Sequence, residues 1–176
     1  DAGVLRSAFG GPLLGRLAPG DGLDVAAPTS GVGRALDTLF TNDQPGDPHL
    51  TVWSGRTGGV HSHFPRVTAD IAFFVTPGFI DVDGDGRSEV VAANGLQSLD
   101  AFAADGTSPV GWPKLTGGWS VGTPGAGDWD GDGLAELAIV RRDGRLMVWR
   151  LRSDAATLGE WTRYGAGPRN DGKVAP

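Results

Sequence analysis

The stretch "FIDVDGDGRSEVVAA", residues 79–93, decides the reading of this chain. It sets aspartates at alternate positions, threads glycines between them, and ends on a glutamate that leads into an apolar run. The same device returns 47 residues later as "AGDWDGDGLAELAIV", residues 126–140. The flanks follow the same period. "FFVTPGFIDV" and "SVGTPGAGDW" precede the two loops, and "SEVVAAN" and "AELAIVRR" follow them. A turn comes next ("GLQ" or "DGR"), then a run with an aromatic at the same place ("LDAF" and "LMVW"), then a segment led by tryptophan ("GWPKLT" and "EWTRYG"). The spacing is 47 residues from Asp81 to Asp128, 47 from Phe102 to Trp149 and 49 from Trp112 to Trp161. Internal repetition of this kind governs the fold and has to be read first.

A third, worn copy lies upstream. "GDGLDVAAPTSG" (20–31) echoes the loop and its following strand, "LTVWSGRTGG" (50–59) echoes "LDAFAADGTS", and "HFPRVT" (63–68) echoes "GWPKLT". Between Val25 and Leu50 this copy carries extra residues, with "TNDQPGDPH" (41–49) rich in turn formers and read as a long exposed loop. Each unit therefore predicts about four short strands in roughly 47 residues, the pattern of β-propeller blades. Helical periodicity is weak throughout, and "GRALDTLF" (33–40) is too short to carry a helix assignment. The predicted fold is all-β: a partial β-propeller of about three four-stranded blades. Residues 1–68 form a degenerate blade with a long loop insertion, 69–116 and 117–167 are blades with an acidic loop each, and 168–176 is a tail.

Composition narrows the function classes. The 176 residues include 30 glycines and 12 prolines, which fits many turns between short strands. The formal charge of −6 argues against a nucleic-acid partner, which needs a basic face. There is no cysteine, so thiolate metal sites and thiol nucleophiles are excluded. No apolar run reaches the ~18 residues of a membrane span. Arginine outnumbers lysine 13 to 2, a weak sign of a GC-rich bacterial genome.

Alternate side chains in a tight loop converge on one point. Asp81, Asp83, Asp85 and Glu89 hold positions 1, 3, 5 and 9 of the first loop, and Asp128, Asp130, Asp132 and Glu136 hold them in the second. Carboxylates brought together repel one another strongly without a cation. An all-oxygen set of flexible geometry suits Ca²⁺ better than Mg²⁺. Arg87 and Leu134, at position 7, differ in type, as expected where only a backbone carbonyl is used. Two Ca²⁺ sites are therefore expected, and an acidic turn without an ion is the competing reading. An EF-hand needs a glutamate at position 12, where this chain has Ala92 and Ile139. In the upstream copy, Asp24 aligns with Glu89, but the positions of Asp81 and Asp83 fall near Arg16 and Ala18, so no calcium is expected there.

"DVDGDGRSE" and "DWDGDGLAE" resemble the loops of FG-GAP (VCBS-type) repeats found in integrin-α-like β-propellers. The resemblance covers about 60–165 well and 15–60 loosely. It implies that each loop joins the first two strands of a blade and binds Ca²⁺ through these positions. It also implies a secreted, extracellular or periplasmic protein, and a role in adhesion, carbohydrate binding or as an accessory domain. "GWPKLTGGW" and "EWTRYGAGPRNDG" look like closing segments of secreted bacterial members.

A propeller ring holds about four to eight blades, and this chain encodes about three. Three blades leave two faces uncovered, which apolar strand residues tolerate poorly. The expectation is a C-terminal portion of a precursor, with the ring completed by another polypeptide, by further copies or by the rest of the precursor. Catalytic constellations are not evident. His61 and His63 in "HSH" would share a face of a strand and suggest a Zn²⁺ or Cu²⁺ pair, but no third ligand is apparent. "GVG" (31–33) is followed by no lysine at the spacing a phosphate loop needs, and G-x-S-x-G is missing. Lys114 has no evident partners for a lyase. Trp53 with Trp149, and Trp112 with Trp161, occupy repeat-equivalent core positions, whereas Trp119 and Trp129 are irregular and Trp129 points to a blade face or a surface. The chain thus reads as a binding or assembly module without its own catalytic site. The alternatives are an accessory part of an extracellular lyase, hydrolase or redox enzyme, or a glycan-binding lectin.

Overall fold

The computed structural model describes residues 6–7, 10–18, 22–31, 48–70, 72, 75–159 and 162. The stretch 33–40, most of the expected 41–49 loop, Trp161 and the expected 168–176 tail lie outside these residues. Among the described residues the chain forms three antiparallel sheets. The first contains β1 (Arg6–Ser7), β2 (Leu13–Gly15), β3 (Asp24–Gly31), β4 (His49–Trp53) and β5 (Arg66–Val67). β1 and β2 take successive stretches of one edge of β3, and β4 and β5 follow on the other side. The second runs in chain order through β6 (Gly78–Ile80), β7 (Glu89–Ala93), β8 (Ser98–Phe102) and β9 (Lys114–Leu115). The third holds β10 (Gly125–Gly127), β11 (Leu134–Val140) and β12 (Leu146–Asp154), followed by a single 3-10 turn at Ala155–Thr157.

Strand alternation explains how the sheets stack. On a strand, successive side chains point to opposite faces. In β7, Val90 and Ala92 enter a core with Leu13, Leu17, Ala26, Leu50 and Val52 of the first sheet. Val91 and Ala93 enter a second core with Ala126, Leu137, Ile139 and Leu151 of the third. Both faces of the middle sheet are thus buried, which is why its strands read as continuous apolar runs rather than alternating ones. The register repeats as well: Gly15 faces Asp24, Ile80 faces Glu89, and Gly127 faces Glu136.

Two features depart from three equal blades, and the sheets do not close a ring. The third sheet has three described strands. The segment expected to close it, "EWTRYG", does not join β12 where it is described: the Thr162 carbonyl accepts from the Ala126 amide of β10, on the opposite edge of the sheet. The physical cause lies in β12, whose nine residues outrun the five of β8 and deliver the chain to the acidic-loop end of the sheets. The second departure is "HSH". His61 and His63 do not share a strand face: the Phe64 amide donates to the His61 carbonyl and closes a turn there.

Candidate metal centres

Each acidic loop joins the first two strands of its sheet, β6 to β7 and β10 to β11. The glycines let it turn: Gly84 and Gly86 have φ of 84° and 82°, and Gly131 and Gly133 have 80° and 91°. Side chains with a Cβ adopt that region at a cost. The first aspartate then organises the loop. Asp81 accepts from the amides of Gly84 at 2.7 Å and Gly86 at 3.0 Å. Asp128 accepts from Gly131 and Gly133 at the same two distances. Asp83 and Asp130 each accept from the amide two residues on. Asp85 and Asp132 do the same with the amides of Arg87 and Leu134. The glutamates close the set, Glu89 accepting from Val82 and Glu136 from Trp129, both at 2.9 Å.

These bonds leave carboxylate oxygens gathered at each loop. In the first loop, oxygens of Asp81, Asp83 and Asp85 lie within 4.8 Å of one another. In the second, those of Asp128, Asp130 and Glu136 do so. Among the described residues no third group of acids or histidines converges this way. The donor set is hard, anionic and all-oxygen, which fits a divalent cation of the calcium type. The cost of gathering these charges is visible at Glu89. Burial pushes its carboxyl from the ordinary 4.5 up to about 8; the Val82 amide opposes the shift, and Asp83, Asp81 and Asp85 add to it.

The two loops differ in their surroundings. Arg150 of β12 forms an ion pair with Asp132, which removes that carboxylate from the converging group. The repeat-equivalent residue for the first loop is Ala103, which carries no charge. The first loop is instead packed against β12, where a Cβ on Gly84 would stand 2.9 Å from the Arg152 carbonyl oxygen. Of the sequence-predicted residues, Asp81, Glu89 and Glu136 are buried, Asp83 and Leu134 are half-buried, and Asp85, Arg87, Asp128, Asp130 and Asp132 are exposed.

The first sheet keeps one element of this plan. Asp24 sits in the register of Glu89 and accepts from the Leu17 amide at 3.0 Å, as Glu89 does from Val82. Its other oxygen meets His61 Nε2 at 3.0 Å. A ring nitrogen therefore lies on the carboxylate where the other two copies gather further acids. The alignment of Asp24 was legible in the sequence, but its histidine partner, 37 residues away, was not.

Residues 81–139 match the family model of the FG-GAP-like repeat. The match begins at the first aspartate of one loop and ends within the strand that follows the other, so it spans both loops and the strands between them. No curated protein matches the chain. No helix among the described residues is long and apolar enough to cross a membrane.

Proposed function

We propose that this chain is a calcium-binding module of the β-propeller type that works in binding or assembly outside the cytoplasm, in a secreted or periplasmic setting. The observation that carries the calcium reading is the bond-for-bond repetition of the two loops around converging carboxylates. In the first loop the ligands would be Asp81, Asp83, Asp85 and Glu89, and in the second Asp128, Asp130 and Glu136, joined by Asp132 once it is released from Arg150, with the carbonyls of Arg87 and Leu134. Bound Ca²⁺ would neutralise the gathered charge and lower the formal −6 to about −2. It would stabilise the fold because the unfolded chain does not gather these ligands.

The same reading includes a partner that continues the stack. Val82, Val91, Ala93, Leu99 and Ala101 of the second sheet are buried against the third. Their repeat equivalents on the third sheet are Trp129, Ala138, Val140, Leu146 and Val148. Trp129 is 61% exposed, and Val140, Leu146 and Val148 are 47%, 47% and 42% exposed. A cleft of about 330 Å³ lies on that face between Gly125–Asp128, Trp129, Glu136 and Ala138. A face built for another sheet supports a ring completed by another polypeptide, by further copies, or by the rest of a precursor.

Native mass spectrometry with and without a chelator tests both parts. Two calcium ions per chain are expected, in a particle larger than 18.1 kDa. A single calcium-free chain would refute the reading. A second reading, glycan binding, draws on a cleft of about 390 Å³ beside the first loop, where Trp112, Lys114, Arg150 and Arg152 meet Asp83 and Asp85. Screening against neutral and acidic glycans separates it from a purely structural module.

A further inference from the structure

We propose that Ser153–Leu158 is a positioning bridge that couples the two acidic loops, so that calcium at one raises the affinity of the other; the inference rests on the calcium reading above. The second sheet has no counterpart to this segment, since the repeat-equivalent residues 106–111 form a turn and the approach to β9. In the third sheet β12 runs on past its neighbours and enters the space between the loops.

There its backbone and side chains bond alternately to one loop and the other. The Ser153 hydroxyl, fully buried, donates to the Asp81 carbonyl. The Ala155 amide donates to the Gly133 carbonyl of the second loop at 3.0 Å. The Leu158 carbonyl accepts from the Asp81 amide at 2.9 Å. Asp154 caps the intervening turn by accepting from the Ala156 amide at 2.8 Å. Leu158 is buried in the core between the second and third sheets, which anchors the segment. Next to it, Gly159 passes so close that a Cβ would lie 2.8 Å from the Phe79 carbonyl oxygen.

The bridge therefore holds both backbone groups of Asp81, the first ligand of one loop. It also holds Gly133, whose amide donates to Asp128, the first ligand of the other. Each first ligand is tied to its partner through a short hydrogen-bonded path, buried at Asp81, Ser153 and Leu158 and exposed at Asp154 and Gly133. An ion that fixes one loop also fixes the bridge, and the second ion then orders less. Ordering costs shared in this way produce positive coupling, which is reciprocal between the sites.

Calcium titration calorimetry on the 176-residue chain tests this. Asp130→Asn disables the second loop and Asp83→Asn the first. Each is expected to lower the affinity of the remaining site by the same factor, about fivefold or more, relative to that site beside an occupied neighbour. Ala155→Pro removes one amide at the first position of the turn, where proline is tolerated, and keeps the turn. In that background, and in Ser153→Ala, the two sites are expected to titrate independently. Melting temperatures with chelator show that each variant is folded, and if Ser153→Ala fails to fold, Ala155→Pro carries the test. Two ions bound without coupling in the unsubstituted chain would overturn the bridge and leave the calcium reading standing. Coupling that survives Ala155→Pro would also overturn it. No calcium bound would overturn both.

Discussion

Leu99 and Leu146 occupy equivalent places in consecutive repeats, yet Leu99 is fully buried and Leu146 is 47% exposed. If the third sheet is an open end, truncating them has unequal cost. Leu99→Ala removes buried methylenes and leaves a cavity between the second and third sheets, for a loss of about 3 kcal/mol. Leu146→Ala gives up about half of a leucine's burial and leaves no enclosed cavity, for about 1 kcal/mol. At about 3 °C per kcal/mol in a chain of this size, the melting temperature falls by about 9 °C in the first case and about 3 °C in the second. Thermal unfolding of the isolated chain in saturating calcium, at two protein concentrations, reads both. Equal losses that do not depend on concentration would refute the open face at Leu146. A Leu146→Ala loss that grows with concentration would instead reveal the face covered by another copy.

Three further outcomes follow from the same structure. Glu89 has a folded pKa of about 8 against an ordinary 4.5, so without calcium its contribution to stability is fully present below 4.5 and is lost as pH rises through 8. The chelated chain should melt lower at pH 8 than at pH 5.5, with the difference reduced in Glu89→Gln, while calcium affinity at the first loop rises about tenfold per unit up to pH 8 as the competing proton leaves. Burial also raises the Asp100 carboxyl, against the lowering effect of its bonds to Asn94 and Ser98. Asp100→Asn should therefore gain on the unsubstituted chain as pH climbs out of the ordinary aspartate range, as measured by urea unfolding at pH 4 and pH 7. Gly159→Ala places a Cβ against Phe79 and Ser88 at a φ of 114°, and should cost about 1–3 kcal/mol in a denaturant melt.

The sequence by itself determined the repeat, its register and the loops. A carboxylate at every second position, glycines where the chain must turn and an apolar run after them are local requirements, so they are written in consecutive residues. That is why Asp81 and Asp128 organise their loops alike and why Asp24 falls in the register of Glu89. The path of the chain after β12 was decided only in the tertiary structure. "EWTRYG" looks like "GWPKLT", but the first described bond of that segment goes to β10, because the extended β12 ends between the loops rather than at the outer edge. The partners of Asp24, Asp81 and Asp132, namely His61, Ser153 and Arg150, lie far along the chain in each case. Contacts of that kind depend on how sheets stack, and no local pattern encodes them. The same holds for the exposed face of the third sheet: Leu99 and Leu146 are the same residue type at repeat-equivalent positions, and among the described residues only Leu99 has a following sheet packed against it.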